Sequence, residues 1–294
     1  LIAYASAYLK CHYLAAFTTA LLNNQPMGFY HPSTVVKDAQ RHGLRVLPAD
    51  VTRSEWKCAI ESGAVRLGLC YVKGLRQTAA EAIVAARPFA SIDDLARRVP
   101  GLRKDELTRL AEVGALNTLE RSHRRDALWM VARAARPVGP LLAEAPGSDA
   151  ASPLRPMDPF ERLDTDYTAT GVNIGRHPMA LCRAEMDRRR VTPAARLARL
   201  RNGLLVRVAG CVIVRQRPGT ANGFLFLSLE DETGIANIIV EPAIYDANRR
   251  LFRDHPFLLI EGVLQNQDNV TSVRAGRIEP LSVLAAAGVS HDFR

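Results

Sequence analysis

A five-residue phrase occurs twice in this chain, and the two copies restrict the fold more than any other feature. Val72-Lys73-Gly74-Leu75-Arg76 and Val99-Pro100-Gly101-Leu102-Arg103 stand 27 residues apart, and each runs into a helix-forming stretch, 77–85 and 104–116. An apolar residue, a glycine turn and a new helix describe a helix–hairpin–helix unit, so the repeat predicts a tandem pair of such units. Glycine permits a tight turn that brings backbone N–H groups to the surface at a helix N-terminus, where a phosphate oxygen is readily held. Lys73, Gly74 and Arg76 in the first copy, and Gly101, Arg103 and Lys104 in the second, are the candidate contacts. Two such units suggest a grip on a duplex backbone that ignores base sequence. The same repeat also describes an αα-hairpin whose charges are merely solvated.

The charge balance bears on that choice. A formal net charge of +9 favours a polyanionic partner. Most of it is local: residues 183–207 hold eight arginines against Glu185 and Asp187, a net of +6, and read as a phosphate-facing stripe. The five cysteines are scattered, with no C-x-x-C pair, which fits reduced thiols and excludes a zinc site of that kind. No apolar run approaches 18 residues, and Lys10 and His12 interrupt the opening one, so neither a membrane span nor a signal peptide is expected. The default is cytoplasmic. The chain opens on Leu1 inside a helical pattern, and is read as the C-terminal part of a longer protein.

Along the chain, Tyr4, Tyr8, Leu9, Tyr13, Phe17 and Leu21 recur at helical spacing and are expected as core, with Lys10 and His12 off the stripe. A helix is expected over 34–42, with Ser33 as N-cap and Gly43 beyond its end. Residues 44–48 and 65–69 read as short strands. Ser91 is a good cap for a helix between the two hairpins; Leu107, Leu110, Ala111 and Leu116 make an apolar face, and Trp129 reads as core of a helix over 121–136. Residues 137–159, rich in Pro, Gly, Ala and Ser, read as a linker. Residues 166–179, through His177-Pro178-Met179, read as a structured connector and not as a catalytic loop.

From Leu204 the pattern changes to strands. Val206, Val208, Val212 and Val214 share one parity and Arg207, Arg215 and Arg217 the other, which buries valines and presents arginines. Phe224 and Phe226 alternate with Leu225, Leu227 and Leu229 in a second strand, and 235–241 makes a third. A helix over 242–255, opened by Pro242, precedes strands at 257–265 and 270–278. Three strands, a helix and two strands is the order of a five-stranded OB-fold, whose strand 2–3 face and loops after strands 1 and 4 contact single-stranded nucleic acid. Here these are Phe224 and Phe226, the loop 216–222 and the turn 265–269. With the leucines buried the phenylalanines face out to stack bases, and the arginines track phosphates. The opposite parity, with Phe224 and Phe226 in the core, stays open.

The chain resembles the C-terminal portion of bacterial C-family DNA polymerases, the DNA polymerase III alpha subunit and its relatives, and more narrowly their error-prone, damage-inducible branch. The residues that carry this are Ala7-Tyr8-Leu9-Lys10-Cys11-His12-Tyr13, Ala20-Leu21-Leu22-Asn23, Met27-Gly28-Phe29-Tyr30, Arg66-Leu67-Gly68-Leu69, the hairpin at Gly74, Thr170-Gly171 with His177-Pro178-Met179, Leu229-Glu230-Asp231 and the closing Ser290-His291-Asp292-Phe293-Arg294. The resemblance implies a multidomain α+β chain: 1–62 the end of the fingers, 63–136 the tandem helix–hairpin–helix domain, 137–202 a linker and basic connector, 203–280 the OB-fold and 281–294 a tail. It implies a parent enzyme that extends a primer by two-metal phosphoryl transfer, with palm carboxylates upstream of Leu1 holding Mg²⁺. This chain would then bind primer–template DNA, hold no metal or catalytic residue and synthesise nothing. A sliding clamp and mutagenesis accessory proteins are the further partners implied. Two departures stand out: Arg76 and Arg103 replace the second glycine of the usual Gly-x-Gly turn, and Leu14 stands where proline is common. The competing reading is a non-enzymatic DNA-handling protein that joins a duplex clamp to a single-strand barrel. A helix–hairpin–helix glycosylase is a third, but the barrel has no task there.

Overall fold

The computed structural model describes residues 1–28, 30–120, 123–134, 152–268, 270–283 and 291–293. The chain forms two compact units, one of residues 1–24 and 43–174, the other of 25–42 and 175–294. Most of the expected linker 137–159, and positions 29, 290 and 294 of the resemblance motifs, lie outside the described residues.

The first unit opens with α1 (Ile2–His12) and α2 (Leu14–Asn23), separated at Tyr13, whose backbone leaves the helical region at φ −133°, ψ 44°. The expected core stripe is corrected here. Tyr4 is 75% exposed, Tyr13 56%, and no residue of α1 is buried. Helical periodicity tells which residues share a face, not whether anything covers it. α2 is tied down by Asn23, whose side-chain amide donates to the Cys58 carbonyl (2.9 Å) and accepts from its N–H (2.8 Å). α3 (Pro32–Arg41) follows in sequence but belongs to the second unit.

β1 (Val46–Leu47), β2 (Ala59–Glu61) and β3 (Ala64–Arg66) form a small sheet with β3 central, parallel to β1 and antiparallel to β2. The turn between β2 and β3 uses Ser62 and Gly63, both at positive φ. The expected boundary at 62/63 therefore falls inside a hairpin. Then come α4 (Gln77–Ala85), α5 (Ile92–Arg98), α6 (Lys104–Glu112), α7 (Asn117–Glu120), α8 (Arg124–Ala134) and α9 (Pro159–Thr170). α6 packs on α8 and α9, and α5 on α8, with Leu95, Leu110 and Leu116 fully buried. Ser91 caps α5 by accepting from Asp94 N–H (3.1 Å). Trp129 is half-buried and not core. The connector is partly helical: Asp158 and Glu161 make a reciprocal capping box that opens α9. Arg124–Asp166 (2.7 Å) and Arg125–Glu161 (2.9 Å) hold α9 to α8.

In the second unit α3 is capped by His31, not Ser33, because Pro32 fits the first helical position and moves the cap two residues back from the expected one. α10 (Pro178–Arg188) starts the same way, with His177 Nδ1 accepting from Met179 N–H (3.1 Å). A 3₁₀ turn at Ala194–Arg199 leads into the barrel of β4 (Leu205–Gln216), β5 (Leu225–Glu230), β6 (Ile235–Val240), β7 (Phe257–Gln267) and β8 (Val270–Pro280). The order β5-β6-β8-β7-β4 is closed by β4 pairing β5, and β9 (His291–Phe293) adds parallel to the end of β4. Between β6 and β7 the expected single helix is two, α11 (Pro242–Ala247) and α12 (Arg249–Asp254), divided at Asn248. The core holds Val208, Val212, Leu227, Leu229, Ile238, Val240, Phe252, Ile260 and Val273. α3 is fixed to the barrel by Arg41–Glu230 (2.7 Å), with Glu230 also 3.8 Å from His177.

Candidate nucleic-acid interface

The two copies of the repeated phrase fold to the same burial pattern. Val72 and Leu75, and Val99 and Leu102, are buried, while Lys73, Gly74, Arg76, Pro100, Gly101 and Arg103 are exposed. Each turn is closed by the leucine N–H donating to the valine carbonyl, 3.1 Å in the first copy and 2.9 Å in the second. Arg76 and Arg103 are the N-caps of α4 and α6, both extended. Gly74 needs its glycine, at φ +89°, whereas the second turn is made without a left-handed residue.

The cations of the hairpins are not equivalent. Lys73 turns to the C-terminal end of α9, where its ammonium donates to the carbonyls of Thr168 (3.0 Å) and Tyr167 (3.3 Å). Arg76 makes a two-pronged contact with Glu106, Nε to Oε1 and Nη2 to Oε2, both 2.9 Å, and Nη2 also donates to the Gly101 carbonyl at 2.7 Å. Glu106, only 1% exposed, accepts in addition from the N–H of Arg76 (3.0 Å) and of Arg103 (2.9 Å). One carboxylate therefore takes the cap amide of both hairpins. The Arg76 guanidinium, aided by those two N–H groups, holds Glu106 down to about 2 against the opposing effect of burial. Neither cap amide is available to a phosphate, which narrows the expected amide cradle. Arg103 and Lys104 remain exposed, with no ion pair from either side chain among the described residues. Sequence reasoning passed over Glu106: Arg103 is not a capping residue type, so no capping-box signature marks the acid three residues on, and its pairing with the earlier copy leaves no local trace.

In the barrel the leucines of β5 are buried, Leu225 4% and Leu227 2% exposed, while Phe226 is 36% exposed and Phe224 half-buried. The inward setting of the leucines and the outward setting of Phe226 are therefore the ones adopted, while Phe224 precedes the strand. The arginines of β4 depart from expectation. A bulge lies between Val212 and Val214 opposite β5, and one extra residue exchanges the two faces beyond it. Arg207 points out and pairs with Glu261 (2.6 Å). Arg215, past the bulge, is in register with buried Leu227, is half-buried and donates to the His255 carbonyl (3.2 Å). Arg217 lies over the Tyr245 ring, 4.4 Å from its centroid, and folds the β4–β5 loop back by donating to the Gly223 carbonyl (3.3 Å).

The basic stretch divides similarly. Arg183 is held by Glu232 (2.5 Å) and Arg189 by Glu279 (2.7 Å). Arg188, Arg190, Arg196, Arg199 and Arg201 are exposed and have no acidic partner among the described residues. The last three are carried beside the β7–β8 turn by Asn266, whose side-chain amide donates to the carbonyls of Ala198 (2.9 Å) and Leu200 (3.1 Å). Nothing in the composition marked Asn266 for this task. Among the described residues no group of three His, Cys, Asp or Glu is placed to hold a metal ion, and no helix is long and apolar enough to cross a membrane. None of the five cysteines forms a disulfide, and burial pushes the Cys58 and Cys211 thiols up to about 12.

Comparison with known proteins agrees with this geometry. A family model described as a helix-hairpin-helix motif matches residues 43–127, and one described as an OB-fold nucleic acid binding domain matches residues 206–281. Error-prone DNA polymerases are similar along nearly the whole chain. That of Alkalilimnicola ehrlichii is 44% identical over 290 residues, 96% of this chain and 28% of the relative. That of Burkholderia pseudomallei is 46% identical over 97% of this chain and 28% of the relative, and that of Azoarcus sp. 45% identical over 100% and 29%. The chain thus spans under a third of the length of the relatives it matches.

Proposed function

We propose that these residues are the DNA-binding C-terminal part of an error-prone DNA polymerase used for synthesis past damaged template. The observation that carries this is continuous similarity to error-prone DNA polymerases over 96% of the chain or more, across both nucleic-acid modules. In this reading 1–62 ends the fingers, and the tandem hairpins grip duplex through Arg103 and Lys104, with Lys73, Gly74, Arg76 and Gly101 shaping the turns. The barrel holds single-stranded template, stacking bases on Phe226 and Phe224. Arg207 and Arg217 at the barrel, with Arg196, Arg199 and Arg201 beside it, take the phosphates. The Mg²⁺ ions and palm carboxylates of the parent enzyme lie outside this chain, which binds primer–template and adds no nucleotide. A sliding clamp, accessory proteins and a cytoplasmic setting belong to the same reading. An upstream coding sequence without an acidic palm motif would sink it.

The division of labour has its own test with the full chain and two fluorescein-labelled probes, an oligothymidylate and a blunt duplex. Phe226→Ala is expected to weaken oligothymidylate binding by about 1–3 kcal/mol, roughly 5- to 150-fold, and to leave the duplex alone. Arg103→Ala with Lys104→Ala is expected to take about 1.8 off the salt slope for duplex, about 0.9 per phosphate contact, and to spare the single strand. Equal losses on both probes in both variants would show that the two modules do not divide the DNA as described. Arg215→Ala, on the inner side of the bulge, is expected to leave the single-strand slope unchanged.

A further inference from the structure

Strand register around the barrel places one outward row of side chains across five strands. Residues paired in register share a face, and the pairs run Gln216–Phe226, Phe226–Ile239, Ile239–Arg274, Arg274–Val263 and Val263–Leu205. The row thus leaves β4 at Gln216 and returns to it at Leu205, eleven residues earlier. Of its apolar members Phe226, Val263 and Leu205 are exposed, at 36%, 43% and 67%, and Ile239 is half-buried. An exposed apolar row on a small barrel marks an interaction surface. Arg274 stands at its middle and is ion-paired to Glu241, Nε to Oε1 at 2.6 Å, with its side chain still 56% exposed.

Resting on the single-strand reading above, we propose that the strand does not end at Phe226. It continues along this row, with Arg274 as a phosphate contact that sequence reasoning did not mark. The occupant follows from charge and chemistry together. Phe226, Val263 and Leu205, with half-buried Ile239 between them, offer apolar surface for base faces, and the row ends at Leu205, four residues beyond Arg201, beside the β7–β8 turn that Asn266 anchors. Arginines without an acidic partner among the described residues, at the end of an apolar row, suit an occupant that alternates apolar bases with phosphates. Glu241 acts as a competitor: its carboxylate occupies Arg274 until a phosphate displaces it.

The pair therefore gives opposite signs, which a structural role for the ion pair would not. Using the full chain, labelled oligothymidylate and a salt titration, Arg274→Ala is expected to weaken binding about 3- to 10-fold. It should also take about 0.7 off the salt slope, which Arg274→Lys restores. Glu241→Gln is expected to tighten binding about 1.5- to 5-fold, the worth of an exposed ion pair no longer competing. Weakening by Glu241→Gln, or an unchanged slope in Arg274→Ala with its thermal transition intact, overturns the proposal. Phe226→Ala separates the two levels. If it weakens binding while both row variants do nothing, the strand leaves the barrel at Phe226 and only the extension fails. If it too does nothing, the single-strand reading of the barrel fails with it.

Discussion

Glu106→Ala is expected to destabilise the hairpin-bearing unit by about 3 kcal/mol. The carboxylate is almost fully buried, ties the cap amides of α4 and α6 together and holds the Arg76 guanidinium across both copies. Removing it leaves two N–H groups without an acceptor, and each costs about 1–3 kcal/mol where water cannot reach. The exposure of Arg76 moderates the total, since its guanidinium can be solvated. Trp56 and Trp129 are the chain's two tryptophans and both lie in this unit, so tryptophan fluorescence follows it alone. With a slope of about 2 kcal/mol per M urea, the midpoint should fall by about 1.5 M. A shift under about 0.3 M would mean that the clasp adds no net stability. The pH dependence has a definite sign. Because folding lowers Glu106 from 4.5 to about 2, its contribution is complete above 4.5 and disappears as the pH falls towards 2. Glu61 is lowered to about 2 as well, chiefly by Arg66, but titrates alike in wild type and Glu106→Gln. The difference between those two proteins should therefore shrink to nothing across this window. A constant difference would remove the ionised clasp as the cause.

Gly262→Ala is expected to be at least as damaging, and to the other unit. Gly262 sits where β7 and β8 change register, and a Cβ there would stand 2.2 Å from the Arg274 carbonyl oxygen. The obstacle is backbone on the neighbouring strand, so no rotamer change relieves it. Overpacking of this kind costs about 3 kcal/mol or more. Hydrogen exchange at β7 and β8 amides should accelerate and oligothymidylate binding fall, while the tryptophan transition and duplex binding persist. Gly219→Ala, with nothing within 4 Å of its Cβ, is the control and should be close to neutral. Retained protection in Gly262→Ala would show that the barrel can open at this corner.

The sequence showed the modules well and their internal ties poorly, for a consistent reason. Helical and two-residue periods are local, so α4 and the barrel strands appear close to their expected places, as does the inward set of Leu225 and Leu227. A single inserted residue defeats the same rule: parity put Arg215 outside, and the bulge after Val212 turned it in. Long-range pairings left no trace in composition. Arg76 looked like a phosphate ligand because its acid lies 30 residues away, and Arg274 looked ordinary because its row exists only once five strands are in register. Many of the motifs that carried the resemblance are braces rather than contacts. Asn23 clasps Cys58, His177 caps α10, Glu230 receives Arg41, and Asp231 accepts from the N–H groups of Thr233, Gly234 and Ala194.

The chain passes between the two units three times, at 24/25, 42/43 and 174/175. A single cut at 174/175 separates the barrel from the helix that packs with it. A fragment starting at Gly175 keeps every strand, yet it lacks Arg41 for the buried Glu230 carboxylate and Lys37 for the Gly175 carbonyl. Helix α3 is in effect a keystone delivered from elsewhere in the polypeptide, and it would have to be supplied as a separate peptide or spliced back on. Recombination between related genes meets the same barrier. A crossover inside 43–174 pairs one parent's α3 with the other's barrel, and the Arg41–Glu230 pair then forms only if both parents kept that base and that acid.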